Sequence, residues 1–329
     1  MSGEEVDQPG VEQPEVAAPE IEQPEVALAE VPGLGTLYAR GLGGSALAAA
    51  RRDRTVDAQA LTRTRVAVRG VQAEAGHLTA YQHLLRDSAS DVLPAGFVHV
   101  LAFPVATALM VRGEFPLPLL GMVHVANSVE QHRALRLGEA MDIRVHAQDL
   151  RPHRAGTTVD IVAEVSSDGQ TAWRGVSRYL AKGYRLDGDA PAADSAEVEE
   201  AAETQEPKAE FMPPVPTGQW RLTGDVGRRY ATVSGDRNPI HTSNLAAKAF
   251  GFPRAIAHGM YTAARALAAV GPAHGESFAW DVDFAKPVLL PSTVAVRVAE
   301  DGASDDGFSY VVWSPKNARL HLSGSVRPL

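Results

Sequence analysis

The chain has 329 residues, 45% of them hydrophobic, enough to bury a sizeable core and to build two domains of ordinary size. It contains no cysteine, which excludes disulfides, thiolate metal sites and a cysteine nucleophile. Its net charge of −9 is unevenly spread: residues 1–32 and 187–210 carry nine acidic side chains each, and the rest holds 22 acidic against 30 basic ones.

The first acidic stretch opens "MSGEEVDQPG", where a secretory leader would be basic and then apolar. It also contains a near-repeat, "VEQPEV" at Val11–Val16 and "IEQPEV" at Ile21–Val26. Such Pro, Glu and Ala composition does not repay the entropy of ordering, so residues 1–32 are expected to form a disordered tail. No apolar run approaches the roughly 20 residues of a membrane span, and a cytoplasmic protein without a membrane partner is expected.

Residues 33–186 form a first block of globular composition. "HLTAYQHLLRD" predicts a helical opening and "VHVLAFPVATALMV" a buried helix, with Pro104 accommodated in its first turn. "MDIRVHAQDLRPH", "TTVDIVAEVSSDG" and "TAWRGVSRYLAKGY" alternate as strands between turn residues. Residues 187–212 read as an acidic interdomain linker. The second block, 213–329, repeats the order: "GDVGRRYATVS" opens and "HGMYTAARALAAV" is apolar or small on most faces, as a buried helix is. Strand-like "FAWDVDFAKPVLLP", "TVAVRVAED", "GFSYVVWSP" and "RLHLSGSVRP" follow.

One buried helix needs a sheet that curls around it, because a flat sheet does not cover an element that is apolar on every side. Read twice over, this is an α+β double hot-dog, with two curved antiparallel sheets each wrapping a helix and pairing edge to edge. The positive charge of the folded part suits a phosphorylated cofactor or an acidic carrier protein. With 6% aromatic residues and no basic-aromatic run, a nucleic-acid partner is not expected.

The stretch "SGDRNPIH" places Asp236, Asn238 and His241 on one short segment. Pro239 fixes its own φ and pushes Asn238 out of the helical region, so the segment is bent and stiff. A carboxylate beside an imidazole is the minimum for holding a water and moving its protons near neutral pH. Downstream, Gly259 starts the buried helix, where free N–H donors and the helix dipole make an oxyanion site. Taken singly, these residues are as expected in an ordinary turn, with His258 a packed residue that supports it. A metal site of Asp236, His241 and His258 matches no known ligand spacing, so no metal is expected.

The order of these features carries a resemblance. "YATVSGDRNPIHTSNLAAKAFGFPRAIAHGM", Tyr230–Met260, resembles the hydratase-2 motif of the MaoC-like family of (R)-specific enoyl-thioester hydratases and dehydratases. "VDFAKPVLLPSTVAVRV" looks like the family's proline-containing strand after the helix. The two-block chain, with "NSVEQHRALRLGEAMDIRV" in its first half, is similar to the actinobacterial double-hot-dog 3-hydroxyacyl-thioester dehydratases. The resemblance implies that Asp236 and His241 are the acid/base pair, that Asn238 orients them, and that the Gly259 N–H is the oxyanion donor. It implies reversible hydration of a trans-2-enoyl thioester of coenzyme A or acyl carrier protein, with neither metal nor redox cofactor. Arg254, His258 and Lys286 are candidate substrate contacts.

The first half departs from the motif. Tyr81 and His99 pair with Tyr230 and His258 in order, but the stretch between them is shorter and has no Asp-x-Asn-Pro-x-His. One active site per chain is therefore expected, with the first half a degenerate, non-catalytic partner in an intrachain pseudo-dimer. The missing segment is expected to open a groove for a longer acyl chain, and further pairing into a homodimer is compatible with this layout. The alternatives are a non-catalytic acyl-thioester-binding or assembly subunit, and a hot-dog thioesterase. The last needs a carboxylate or nucleophile on the central helix, and "MYTAARALAAV" carries no acid.

Overall fold

The computed structural model describes residues 24–41, 54–61, 63–188, 211–301 and 307–329. In the first half residues 34–41 are helical (α1), followed by α2 (Ala75–Leu85) and α3 (Ala95–Met110). Its strands are β1 (Glu25–Leu28), β2 (Thr55–Val56), β3 (Arg65–Val71), β4 (Met122–Gln131), β5 (Met141–His153), β6 (Gly156–Ser167), β7 (Gln170–Lys182) and β8 (Arg185–Leu186). The second half contains β9 (Gly218–Leu222), α4 (Val226–Ser234), α5 (Pro239–Thr242), α6 (Asn244–Ala249) and α7 (Gly259–Val270). Strands β10 (Phe278–Phe284), β11 (Ser292–Glu300), β12 (Phe308–Ser314) and β13 (Arg319–Pro328) complete it.

The strands join into one 11-stranded sheet in the order β1-β3-β5-β6-β7-β4-β10-β13-β12-β11-β9. Helix α3 packs on β3, β5, β6 and β7 of the first half, and α7 on β11 and β13 of the second. This is the expected double hot-dog. The halves meet where β4 pairs antiparallel with β10, from Phe278↔Gln131 to Asp283↔Ala126. Ser128 Oγ donates to Asp281 Oδ1 across that seam at 2.6 Å. Pairing the two sheets removes one open edge from each half.

Helix α3 is apolar all round, and Phe97, Val98, Val105 and Leu109 are fully buried. It starts at Ala95, so Pro104 lies inside the helix, not in its first turn. The missing N–H leaves the Val100 carbonyl without its usual i+4 donor. This start also corrects the pairing of His99 with His258: the residue before α3 is Pro94, whereas His258 is the residue before α7. His99 sits one turn inside its helix.

Part of the expected tail is ordered. Residues 25–28 pair parallel with β3, with Val26 and Leu28 half-buried, and α1 follows. Composition weighed this stretch as a whole, whereas four residues suffice for an edge strand when a neighbour supplies the ladder and Leu28 packs on the core. Residues 1–23 of the expected tail, and 189–210 of the expected linker, lie outside the described residues. Among the described residues no helix is long and apolar enough to cross a membrane.

Candidate active site

The motif folds as a tight helical relay. Helix α4 ends at Gly235, whose φ of 72° closes it in a left-handed turn. Asp236 follows, and its backbone N–H donates to Ser234 Oγ at 3.2 Å. Asn238 then caps α5: its side-chain oxygen accepts from the Ile240 N–H at 3.4 Å, and Pro239 takes the first helical position. His241 lies on this single turn, its Nδ1–H donating to the Ile256 carbonyl at 3.0 Å. Because a carbonyl only accepts, Nδ1 carries the proton and Nε2 is left as a free base.

His258, only 3% exposed, ties the two ends together. Its Nε2 donates to the Asp236 carbonyl at 3.0 Å, and its ring stacks on His241 with centroids 3.7 Å apart. Burial pushes its pKa down to about 3, with His241 adding to the effect, so it is neutral at physiological pH. Burial likewise lowers His241, against the opposing pull of Asp236 and the Ile256 bond. Burial alone would raise the Asp236 carboxyl, but His258, His241, the Tyr38 hydroxyl and the Asn238 N–H outweigh it and hold the group below its ordinary value. With His258 neutral, the contributions that act near pH 7 are chiefly the hydrogen bonds. The carboxylate is thus ionised and the His241 base neutral, the state a proton-accepting pair needs.

Helix α7 begins at Gly259, whose N–H belongs to a first turn without intrahelical acceptors. A Cβ at this position would lie 2.9 Å from the Phe284 ring. Glycine is therefore needed for close approach, so that Phe284 and the helix start share the same wall. The aligned peptide dipoles add partial positive charge at this point.

These groups line one cavity of about 720 Å³ that spans both halves. Asp236, Asn238, His241, His258 and Gly259 line it, as does Lys286 near its rim. Arg254 does not; its Nε is buried with no hydrogen-bond partner among the described residues. The first half contributes an apolar wall that includes Phe103, Met110, Leu119 and Met122, together with basic Arg154 and Lys182. It also places His99, His124 and Tyr179 opposite the motif, with the His124 ring stacked on Tyr179 at 4.7 Å.

The sequence reading missed several of these. Tyr38 on α1 donates to Asp236 Oδ1 at 2.5 Å, and nothing in its local sequence marks it. His124, on a strand without clean alternation, and Phe284 were also passed over. The signal for Phe284 lay in the "VDFAKP" segment, whose phenylalanine ends an alternating strand. Atoms of Asp236, His241 and His258 lie within 4.8 Å of one another, so the donor set is compact enough for a cation. The bonds of His241 Nδ1 and His258 Nε2 to main-chain carbonyls fix both rings in place. The free Nε2 beside a carboxylate is instead set up for proton transfer to and from a water.

Comparison with known proteins gives a consistent picture. The family described as MaoC like domain matches residues 219–314. A curated relative, 3-hydroxyacyl-thioester dehydratase X of Mycobacterium tuberculosis, is 35% identical over 265 residues, covering 80% of this chain and 89% of the relative. The crystal structure of HtdX from M. tuberculosis superposes with a TM-score of 0.68 at 33% identity, covering 80% of this chain and 100% of that one. A MaoC-like dehydratase from Phytophthora capsici, 16% identical over 80% of this chain and 95% of its own, shares the fold at a TM-score of 0.59.

Proposed function

Because this chain belongs to the MaoC-like dehydratase family, we propose that it is a hydro-lyase that interconverts trans-2-enoyl and (R)-3-hydroxyacyl thioesters in fatty-acid metabolism. The observation that carries the reading is the facing arrangement of an ionised Asp236, a neutral His241 and the Gly259 N–H in one cavity. In hydration a water held between Asp236 and His241 Nε2 loses a proton to the pair as its oxygen bonds to C3. The C2–C3 π electrons move toward the thioester carbonyl, whose developing oxyanion is held by the Gly259 N–H and the helix dipole. A proton is then delivered to C2 on the same face, and the pair is restored. Dehydration runs the same steps backward. Only protons and one water move, so the step needs no redox cofactor, and in this reading the base and the oxyanion donor both come from the chain itself.

The apolar wall of the first half suits an acyl chain, and Lys182, Arg154 and Lys286 suit the phosphates of coenzyme A or of a carrier-protein arm. Thioesters of this kind are made and used inside cells, and the cytoplasm is the compartment this reading assigns. Asn238 acts by capping the turn that carries His241 and by donating its N–H to Asp236 Oδ1 at 3.1 Å. The test follows the enoyl-thioester absorbance of crotonyl- and longer trans-2-enoyl-coenzyme A, with chiral analysis of the product. Loss of the enoyl band with an (R) product is expected. No turnover of either coenzyme A or carrier-protein thioesters, with ligand still bound, would leave an acyl-binding subunit as the better account.

A further inference from the structure

Tyr38 lies far from the motif in sequence, near the start of the first block. It nevertheless reaches the active site of the second half. Strand β1 anchors this segment on β3, and Leu37 is 4% exposed. The Leu34 side chain fills the space beside Gly235, where a Cβ would lie within 2.5 Å of its Cδ1. Glycine is doubly required at 235, by its positive φ and by this contact. From that position the Tyr38 hydroxyl meets Asp236 Oδ1 at 2.5 Å.

The bond has a directional consequence. A carboxylate only accepts, so Tyr38 is the donor, and a hydroxyl bond to an ionised oxygen is among the stronger hydrogen bonds. The Asn238 N–H donates to the same Oδ1. Two donors on one oxygen stop the carboxylate from turning. The other oxygen, Oδ2, faces His258 Nε2 at 3.6 Å, beyond hydrogen-bonding distance, and is left to meet a water.

We propose that Tyr38 is a positioning residue of this active site: it fixes the Asp236 carboxylate so that Oδ2 is presented to the reacting water, and it makes residues 24–41 part of the catalytic unit. The inference rests on the hydration reading above. The titratable groups around Asp236 are His241 and His258 of the motif, Tyr230 of α4, and His99, His124 and Tyr179 from the first half. Burial pushes the tyrosines up, and His99, His124 and His258 down to about 4, 3 and 3, so all of these are neutral around pH 7. Tyr38 is therefore the side-chain hydroxyl that directly stabilises the ionised form.

The test compares full-length wild type with Tyr38→Phe by two readouts. Kinetics on crotonyl-coenzyme A across pH should show kcat reduced about 10- to 100-fold with KM little changed, as for a misplaced reacting group. The acid limb should move to higher pH, because the variant loses a bond that favours the carboxylate. Carbon-13 NMR titration of the Asp236 carboxyl, assigned by its loss in Asp236→Asn, should move in the same direction, with the melting temperature unchanged. An unmoved carboxyl titration, or a variant as active as wild type or more so, overturns the proposal. The last result would mark Tyr38 as an obstruction. If wild type turns over no thioester, the reaction reading fails, while the carboxyl titration still decides whether Tyr38 holds Asp236.

Discussion

The rings of His241 and His258 lie face to face, 3.7 Å between centroids and 26° between planes, at the point where Asp236 and Gly259 converge. Such close contact is favourable between neutral imidazoles and costly once both are charged. The second ring is therefore kept neutral by burial, which frees the first to cycle through its protonated form during turnover.

That arrangement has a price in acid. His258 and His124, lowered to about 3, and His99, lowered to about 4, are all depressed from an ordinary value of 6.5. Between those values and 6.5 the unfolded chain binds protons that the folded chain refuses. The stability is complete above pH 6.5 and is lost as pH falls toward 4 and 3. Thermal melts from pH 7 down to pH 4 should show a falling melting temperature, and His99→Gln or His124→Gln should flatten the fall. A melting temperature independent of pH over this range would refute the assignment.

Activity should share only part of that sensitivity. Hydration needs Asp236 ionised and His241 neutral, and both groups are held below their ordinary values. The acid limb of kcat/KM should therefore lie below pH 6.5, the ordinary value of a histidine. A limb at or above that value would mean that the base is a more exposed imidazole elsewhere.

Gly259 and Phe284 should behave as a coupled pair. Gly259→Ala should press a methyl group against the Phe284 ring and so displace the N–H proposed as the oxyanion donor. Losing one oxyanion donor costs roughly 100- to 1,000-fold in kcat. Adding Phe284→Ala relieves the clash, so the double variant should recover part of the loss that Gly259→Ala causes alone. Steady-state kinetics of the four proteins measure this, and strictly additive effects would show that Phe284 does not govern the helix start.

Chain length should be set in the first half. Met110 closes the apolar wall at the end of α3 and is 3% exposed. Met110→Trp should lower kcat/KM for long enoyl thioesters by about tenfold or more while leaving crotonyl-coenzyme A nearly unchanged, as expected when only the distant part of a pocket is filled. Equal losses on both substrates would place the acyl chain elsewhere.

Much of this site was readable because its parts are local. Asp236, Asn238 and His241 share one bent turn, and Pro239, the Asn238 cap and the glycine after α4 are signals that sequence states directly. The strands β5, β6 and β7 were legible from their alternation. What escaped notice was held by long-range pairing. β4 sits between two neighbours and carries His124 and Asn127 where alternation would ask for apolar residues. β1 has too few residues to outweigh an acidic composition, and Tyr38 gains its role only from a partner 198 positions away. Arg254, a basic residue within the motif that suggested a phosphate contact, is not among the residues that line the cavity.

The most direct measurement is the hydration of crotonyl-coenzyme A in deuterated water by wild type, Asp236→Asn and His241→Gln, with the stereochemistry of the product read at C2 and C3. Deuterium at C2 on the same face as the new hydroxyl, an (R) configuration at C3, and losses of about 100- to 10,000-fold in both variants would show that this pair delivers and removes the proton. An (S) product, addition to opposite faces, or variants that keep wild-type rates would contradict it.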